Sequence, residues 1–191
     1  GVDRLVFSST AAVFGHPQAD RIDEDHPQTP INPYGASKLM VERILADAAS
    51  AYGLRSVALR YFNAAGAAPD GTIGEAHDPE THLVPNAIRA ALGTGPALTL
   101  FGDDYPTPDG TCIRDYVHVD DLADACLFLM KRYDGATHIN VGTGIDLSIR
   151  ELADMVRSIV YPEATMTFDT SKPDGMPRKL LDVSRLHAVG W

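Results

Sequence analysis

Apolar runs near the start of the chain predict a strand, a helix and a second strand. Residues 5–7 form a short apolar run that stops at Ser8, as in an interior parallel strand whose carboxyl end opens onto a site. From residue 34 to about 52, apolar side chains recur at helical spacing, and Gly53 ends the helix. Residues 54–62 then alternate, which predicts the second strand. Strand, loop, helix and strand in this order make up half of a doubly wound α/β fold.

The later part of the chain continues this alternation. Its pattern predicts helices at 83–92, 122–133, 149–160 and 182–189, and strands at 98–102, 138–142 and 165–168. Ser148 and Glu151 have the spacing of a capping box before the third of these helices. We expect Asp120 and Asp121 to begin the helix 122–133. The whole pattern predicts an α/β protein with a parallel sheet and a second, smaller α/β part.

Composition narrows the classes of function. The chain has 191 residues, of which 45% are hydrophobic and 22% charged, as in ordinary soluble globular proteins. A net charge of -10 argues against a general nucleic-acid or anionic-membrane surface, and no apolar run approaches the roughly 18 residues of a membrane span. The two cysteines, Cys112 and Cys126, fit a reducing compartment, so we expect a cytoplasmic protein. Because the chain opens directly onto a strand and stops at Trp191, we expect sequence to be missing at both ends.

Tyr34 and Lys38 form a candidate proton-handling pair. Residues four apart on a helix project from the same face, so the phenol and the ammonium are expected to lie near one another. A positive charge beside a phenol stabilises the phenolate, and Tyr34 could then exchange a proton with a substrate hydroxyl. The alternative is that Tyr34 covers part of the core and Lys38 is solvated, and the spacing alone does not decide between them.

Polar side chains follow two of the predicted strands. Ser8, Ser9 and Thr10 end the first strand, and Asn63 ends the second. Ligands of open α/β sheets bind at the carboxyl ends of strands, so these side chains are candidates for hydrogen bonds to a ligand. The alternative for all four is local turn formation.

Basic residues in this acidic chain are candidates for phosphate contact. Arg114 has the guanidinium that a diphosphate needs, although a local ion pair with Asp115 is the alternative. Lys172 lies with Arg178 in a loop that prolines hold irregular, which suits phosphate contact as well as solvation. The acidic and histidine residues of 115–121 lack further ligands at metal-binding spacing, and the sequence predicts no metal site.

Five segments form an ordered set. They read Ser-Ser-Thr-Ala-Ala-Val-Phe-Gly at 8–15, Pro-Tyr-Gly-Ala-Ser-Lys at 33–38, Arg-Tyr-Phe-Asn at 60–63, Thr-His-Leu-Val-Pro at 81–85 and Gly-Thr-Cys-Ile-Arg-Asp-Tyr-Val-His-Val at 110–119. Together they resemble the extended short-chain dehydrogenase/reductases and, more narrowly, the UDP-glucose 4-epimerases, over roughly residues 1–135. The resemblance implies an isomerase that holds NAD, acts on a nucleotide sugar and is a homodimer when full length.

The resemblance also implies roles for individual residues. Tyr34 would take the proton of the sugar 4-hydroxyl while C4 passes hydride to NAD, and the hydride would return to the other face of the sugar. Lys38 would stabilise the phenolate and hold the nicotinamide ribose, and Thr10 would hydrogen-bond the 4-oxygen. The cofactor would also contact Ser8, Ser9 and Phe62. The nucleotide sugar would contact Asn63, His82, Leu83, Thr99, Leu100, Phe101, Arg114, Lys172 and Asp174.

By the same resemblance, the chain has two parts. Residues 1–63, to which 115–143 return, would be the carboxyl-terminal part of an NAD-binding Rossmann-like domain. Residues 64–114 and 144–191 would be the substrate-binding part, truncated at its end. The glycine-rich phosphate fingerprint of such domains is not in this chain, so we expect the 191 residues alone to be inactive.

Other members of this superfamily are alternatives. Residues 168–186 resemble GDP-L-fucose synthase, but that activity would need a cysteine where Thr10 stands. A 4,6-dehydratase would need an acidic residue after Thr10, and Ala11 follows. A non-catalytic nucleotide-sugar or dinucleotide-binding protein has no need of Thr10, Tyr34 and Lys38 together.

Overall fold

The computed structural model describes residues 1–171 and 175–191. The strands are β1 (Arg4–Ser8), β2 (Arg55–Arg60), β3 (Asn63–Ala65), β4 (Leu98–Phe101), β5 (Ile113–His118), β6 (Ala136–Asn140), β7 (Asp146–Ser148), β8 (Met166–Asp169) and β9 (Arg178–Lys179). The helices are α1 (Pro33–Tyr52), α2 (Leu83–Ala91), α3 (Val119–Arg132), α4 (Ile149–Val160) and α5 (Ser184–Ala188), and a 3-10 helix spans Ala11–Phe14. Within these described ranges, no helix combines the length and apolar character needed to cross a bilayer.

Two compact units make up the chain. Unit 1 comprises Gly1–Ala64, Asp115–Ile145 and Lys179–Trp191, and unit 2 comprises Ala65–Arg114 and Asp146–Arg178. The chain passes from one unit to the other at four points, and each point lies in or next to one of the short strands β3, β5, β7 and β9.

Unit 1 contains a three-stranded parallel sheet with β2 in the centre. Val57 of β2 pairs with Val6 of β1 on one side and with Thr137 of β6 on the other. Helices cover both faces: Leu39 of α1 belongs to one apolar cluster, and Leu129 of α3 belongs to another, with Val57. Because β2 is buried on both faces, five of its six residues are buried. This arrangement confirms the predicted α/β class and its doubly wound sheet.

The carboxyl-terminal segment 179–191 belongs to unit 1, whereas the sequence placed it with the substrate-binding part. Leu181 and Leu186 are fully buried, one in each apolar cluster of the unit. Ile22 donates its backbone N–H to Leu180 at 3.0 Å, and Asp182 donates to Ile22 at 2.9 Å. Apolar contacts and backbone pairing therefore hold the segment against residues far away in sequence, which local periodicity does not encode.

Unit 2 contains a two-stranded parallel sheet and two packed helices. Strand β4 pairs with β8, and α2 packs against α4. The capping box of α4 is confirmed: the Ser148 hydroxyl accepts the Glu151 N–H at 3.0 Å, and the Glu151 carboxylate accepts the Ser148 N–H at 2.7 Å. Both interactions satisfy amide groups that the first turn of a helix leaves without intrahelical partners.

Helix α3 begins earlier than the sequence predicted. His118 is its N-cap, because its Nδ1 accepts the N–H of Asp120 at 3.2 Å. Asp120 and Asp121 lie in the first turn instead of at the cap. Their carboxylates are favourable there because the helix dipole places partial positive charge at the amino terminus.

Candidate active site

One face of α1 carries Tyr34, Lys38 and Glu42. Of these three residues, Lys38 and Glu42 form hydrogen bonds with residues at the end of β1. The Lys38 ammonium donates to the Ser8 carbonyl at 2.8 Å, and the Ser9 hydroxyl donates to the Glu42 carboxylate. The Lys38 Nζ atom lies 5.7 Å from the centroid of the Tyr34 ring, and Tyr34 is 56% exposed. Lys38 is therefore held near an exposed Tyr34 ring by a hydrogen bond to the backbone.

Thr10 is buried and caps the 3-10 helix that follows β1. Its Oγ1 accepts the N–H of Ala12 at 3.1 Å. A hydroxyl group has one proton to donate besides its two acceptor lone pairs, so the capping bond leaves that proton for another oxygen. Turn formation and hydrogen bonding to a ligand were alternatives in the sequence, and this geometry is compatible with both at once.

Gly35 allows α1 to approach this 3-10 helix closely. A Cβ atom at Gly35 would lie 2.6 Å from the Ala12 carbonyl oxygen and 3.1 Å from the Pro30 Cβ. Asn32 caps the helix by accepting the Gly35 N–H at 2.8 Å, and Pro33 occupies the first helical turn. Sequence reasoning missed the role of Gly35, although a glycine next to a candidate catalytic tyrosine was a signal for close packing.

Beneath this face lies a buried ion pair that sequence reasoning also missed. Arg60 is 0% exposed, and its guanidinium donates to Glu42 through Nε at 3.0 Å and through Nη2 at 2.5 Å. The guanidinium also lies 4.8 Å from the centroid of the Phe14 ring. Because the buried Ser9 hydroxyl is bonded to Glu42, it belongs to this network, and its contact with a cofactor stays a prediction. The four-residue spacing from Lys38 to Glu42 was the sequence signal that could have placed Glu42 on the same helix face.

The remaining residues of unit 1 with a predicted role lie at the ends of β1 and β2. The hydroxyl groups of Ser8 and Tyr61 are 2.6 Å apart. Phe62 is half-buried against the apolar cluster that contains Leu39, and the Lys179 Nζ lies 5.6 Å from its ring centroid. Asn63, also half-buried, begins β3.

In unit 2, the residues predicted on β4 do not share one face. Thr99 and Phe101 are exposed, whereas Leu100 between them is 2% exposed and part of the core. The Thr99 and Thr167 hydroxyl oxygens are 3.0 Å apart across the β4–β8 pair. Side chains alternate along a strand, so a ligand that contacts Thr99 and Phe101 would not meet the Leu100 side chain on the same face. Contact of the nucleotide sugar with these three residues stays a prediction, and a contact with Leu100 on this face would involve its backbone.

Arg114 has backbone partners, contrary to the local ion pair considered from the sequence. Its guanidinium donates to the carbonyl oxygens of Ile113 at 2.7 Å and Pro177 at 3.4 Å. The Asp115 carboxylate accepts the N–H and the hydroxyl of Thr143 instead, at 3.0 and 2.7 Å. The guanidinium positive charge is therefore not compensated by the neighbouring carboxylate.

The other predicted substrate residues fall into two groups. His82 is the N-cap residue of α2, with an exposed ring bonded to Glu75, and Leu83 is the half-buried first residue of that helix. Lys172 and Asp174 lie outside the described residues.

Comparison with known proteins identifies relatives along the whole chain. Residues 1–142 match the model of the NAD dependent epimerase/dehydratase family. The UDP-glucose 4-epimerase of Azospirillum brasilense is 49% identical over 195 residues, covering 100% of this chain and 56% of that protein. The crystal structure of UDP-glucose 4-epimerase from Brucella ovis in complex with NAD matches with a TM-score of 0.91 and 45% identity, over 99% of this chain and 59% of that one. The enzyme from Bifidobacterium longum in complex with NAD+ and UDP matches with a TM-score of 0.90 and 34% identity, over 99% of this chain and 58% of that one.

These matches extend beyond the motifs of the sequence. The chain spans little more than half the length of these relatives, and the family model covers most of the chain. The matched structures share its α/β architecture across both units. The chain belongs to the NAD dependent epimerase/dehydratase family.

Proposed function

We propose that this chain carries the catalytic face of an NAD-dependent 4-epimerase that interconverts UDP-glucose and UDP-galactose by transient oxidation at sugar C4. The observation that carries the proposal is the accessible Tyr34 phenol beside Lys38, whose ammonium is fixed on the Ser8 carbonyl. Family membership and the UDP-glucose 4-epimerases among the relatives support the reaction class. A cytoplasmic location and a homodimer remain predictions.

The proton steps fall to three residues of unit 1. Tyr34 takes the proton of the sugar 4-hydroxyl during oxidation and returns a proton to the 4-oxygen after the ketone has turned over. Tyr34 accepts this proton as the phenolate and becomes a phenolate again when it returns the proton, and the Lys38 ammonium stabilises that phenolate. The Thr10 hydroxyl, whose oxygen already accepts the Ala12 N–H, donates its proton to the sugar 4-oxygen.

The residues at the end of β1 and on α1 fit the nicotinamide half of NAD. An ammonium has three N–H donors, and the Ser8 carbonyl takes one, so Lys38 can also donate to ribose hydroxyls. The half-buried Phe62 ring, in the same unit, offers an apolar surface for the nicotinamide. When bound, NAD supplies the hydride acceptor and donor that the sugar carbon needs. The glycine-rich diphosphate cradle of such domains is not among these 191 residues.

Unit 2 supplies candidate contacts for the nucleotide. Thr99 and Phe101 are exposed on β4, and the Arg114 guanidinium can form charge-assisted hydrogen bonds with a diphosphate. Lys172 is proposed to contact the same diphosphate as a point charge. The relative from Bifidobacterium longum, which binds UDP, supports a uridine nucleotide.

A GDP-L-fucose synthase-type reaction is less well supported. The Azospirillum brasilense epimerase matches the full chain, including the carboxyl-terminal third on which the fucose synthase resemblance rested. Thr10, moreover, has no thiol for proton transfer at the carbons beside a ketone. The same residue, with Tyr34 and Lys38, argues against a non-catalytic binding protein.

The test is a Tyr34→Phe variant of the full-length enzyme, assayed for conversion of UDP-galactose to UDP-glucose with NAD. Loss of a general acid–base group typically costs about 10²–10⁴-fold, so we expect kcat to fall by at least about 100-fold. Tyr52→Phe is a matched control because Tyr52 is 87% exposed at the other end of the same helix. An unchanged kcat in Tyr34→Phe would exclude the proposed mechanism, and turnover of a GDP-4-keto sugar with NADPH in place of UDP-galactose would favour the fucose synthase alternative.

A further inference from the structure

A short segment of unit 2 brings together four side chains that can bind a metal ion. Glu75, His77, Glu80 and His82 each place one carboxylate oxygen or imidazole nitrogen within 4.8 Å of the other three. We propose that this cluster binds one divalent transition-metal ion, with Zn²⁺ as the preferred ion. The proposal does not depend on the proposed epimerase activity, and it replaces the expectation from the sequence that there is no metal site.

The distances between the donor atoms suit a single ion. The His77 Nδ1 is 2.9 Å from the Glu75 Oε1 and 3.8 Å from the Glu80 Oε1, and the His82 Nδ1 is 3.9 Å from the Glu80 Oε1. The His82 Nδ1 and the Glu75 Oε1 lie closer still. Two nitrogen or oxygen ligands at about 2.0–2.1 Å from a tetrahedral Zn²⁺ are about 3.4 Å apart. An ion among the four atoms would therefore separate His82 from Glu75 and leave the other pairs near their present spacing.

The charges of the cluster call for a cation. The Glu80 side chain is 4% exposed and that of Glu75 is 20% exposed, whereas both imidazoles are open to solvent. Backbone N–H groups of Thr81 and His82 donate to the Glu80 Oε1 at 2.9 Å each. With both imidazoles neutral, the cluster has a charge of -2, which one divalent ion neutralises. Asp78 and Arg89 also line the adjoining cavity.

The path of the chain keeps the conformational entropy cost of ordering this site low. It also leaves the site open to solvent. All four donors come from eight consecutive residues, so binding closes only a short loop. Glu75, His77 and Glu80 also line a cavity of about 790 Å³, and the side chains of His77 and His82 are 55% and 58% exposed. An ion can therefore reach the donors without unfolding of the unit.

The donor set also indicates which ion binds. Two imidazoles with two carboxylates favour zinc, cobalt, nickel or copper over magnesium or calcium, which prefer oxygen ligands alone. Because His82 is the N-cap residue of α2 and Asn86 of that helix donates to the Glu80 carbonyl at 3.2 Å, the bound ion would fix the loop to the start of α2. The ion is thus expected to stabilise this helix end.

The test is a metal titration of the full protein after dialysis against a chelator. We expect calorimetry with ZnCl₂ to give one ion per chain, and Co²⁺ to give the visible absorption of a low-symmetry site. Glu75→Gln and His77→Asn should each weaken Zn²⁺ binding at least tenfold. His16→Asn and Glu163→Gln, which change exposed residues elsewhere, are matched controls and should bind as the unchanged protein does.

Two results would overturn the proposal. One is that the unchanged protein takes up neither Zn²⁺ nor Co²⁺, in which case the cluster holds only histidine–carboxylate ion pairs. The other is that Glu75→Gln and His77→Asn bind Zn²⁺ as tightly as the controls. Circular dichroism of each variant shows whether it is folded. If a variant is unfolded, the titration of the unchanged protein still decides the question.

Discussion

In unit 1 the carboxylate of Glu42 faces a buried guanidinium, whereas in unit 2 the carboxylates of Glu75 and Glu80 face two exposed imidazoles. The Arg60 guanidinium donates to Glu42 through Nε and Nη2, so this carboxylate already has its counter-ion within the protein. An imidazole has an ordinary pKa near neutrality and can leave its nitrogen to a metal ion. The difference is that the Glu42 carboxylate has a fixed guanidinium as its counter-ion, whereas the unit 2 carboxylates face imidazole nitrogens that can also bind a metal ion.

The largest effect is expected when the Glu42 carboxylate of unit 1 is removed. In Glu42→Gln, Arg60 keeps a buried charge without its partner, which typically costs about 3–5 kcal/mol. We expect the free energy of unfolding, measured with urea, to fall by about this amount. Glu75→Gln, assayed without metal, should change it far less because its imidazole partners are exposed to solvent. Equal losses in the two variants would show that the clusters do not differ as described.

A second prediction concerns how the network of unit 1 is connected to the candidate catalytic face. In Gly35→Ala, the added Cβ would lie 2.6 Å from the Ala12 carbonyl oxygen, and such overpacking typically costs about 1–3 kcal/mol. We expect lower stability in urea and, in the full-length enzyme, a lower kcat, because Tyr34 moves relative to Thr10. The control is Gly74→Ala in unit 2, where the nearest atom would be 3.6 Å away. A stabilised Gly35→Ala variant would mean that helix propensity outweighs this contact.

The smallest expected effect concerns His138, a half-buried histidine of unit 1, in contrast to the exposed histidines of unit 2. His138 donates through Nε2 to the Glu24 carbonyl at 2.9 Å, and burial, aided by the charge of Arg60, lowers its pKa below the ordinary value of 6.5. The unfolded chain therefore takes up this proton first as the pH falls. We expect the His138 contribution to stability to be full above about pH 6.5 and to be lost as the pH falls from there through the lowered pKa.

Urea unfolding at several pH values between 7 and 4 measures this effect, with the range set about the ordinary histidine pKa of about 6.5. His138→Gln keeps an N–H donor but does not titrate, so its stability should fall less steeply with acid than that of the unchanged protein. His16→Gln, which changes an exposed residue, should follow the unchanged protein. Identical curves for His138→Gln and the unchanged protein would rule out a titrating role for His138.

Much of the fold and part of the site could be predicted because they depend on neighbours in sequence. Helix α4 has the predicted bounds, since a capping box and apolar periodicity are local signals. The start of α3 was wrong by a few residues because an imidazole caps it in place of a carboxylate. The shared face of Tyr34 and Lys38 followed from helical spacing alone, and the position of Lys38 beside the phenol agrees with it.

The amino-acid sequence by itself determined the α/β class, most of the elements and the face of α1 that carries Tyr34 and Lys38. Only the tertiary structure decided that Glu42 pairs with Arg60, that Gly35 meets Ala12, and that 179–191 packs into unit 1. These contacts join residues from different elements, and no local pattern encodes them. The cluster of Glu75 and His77 lies within one short segment, but its loop has no periodicity, so the backbone path that gathers its donor atoms was also beyond the sequence pattern.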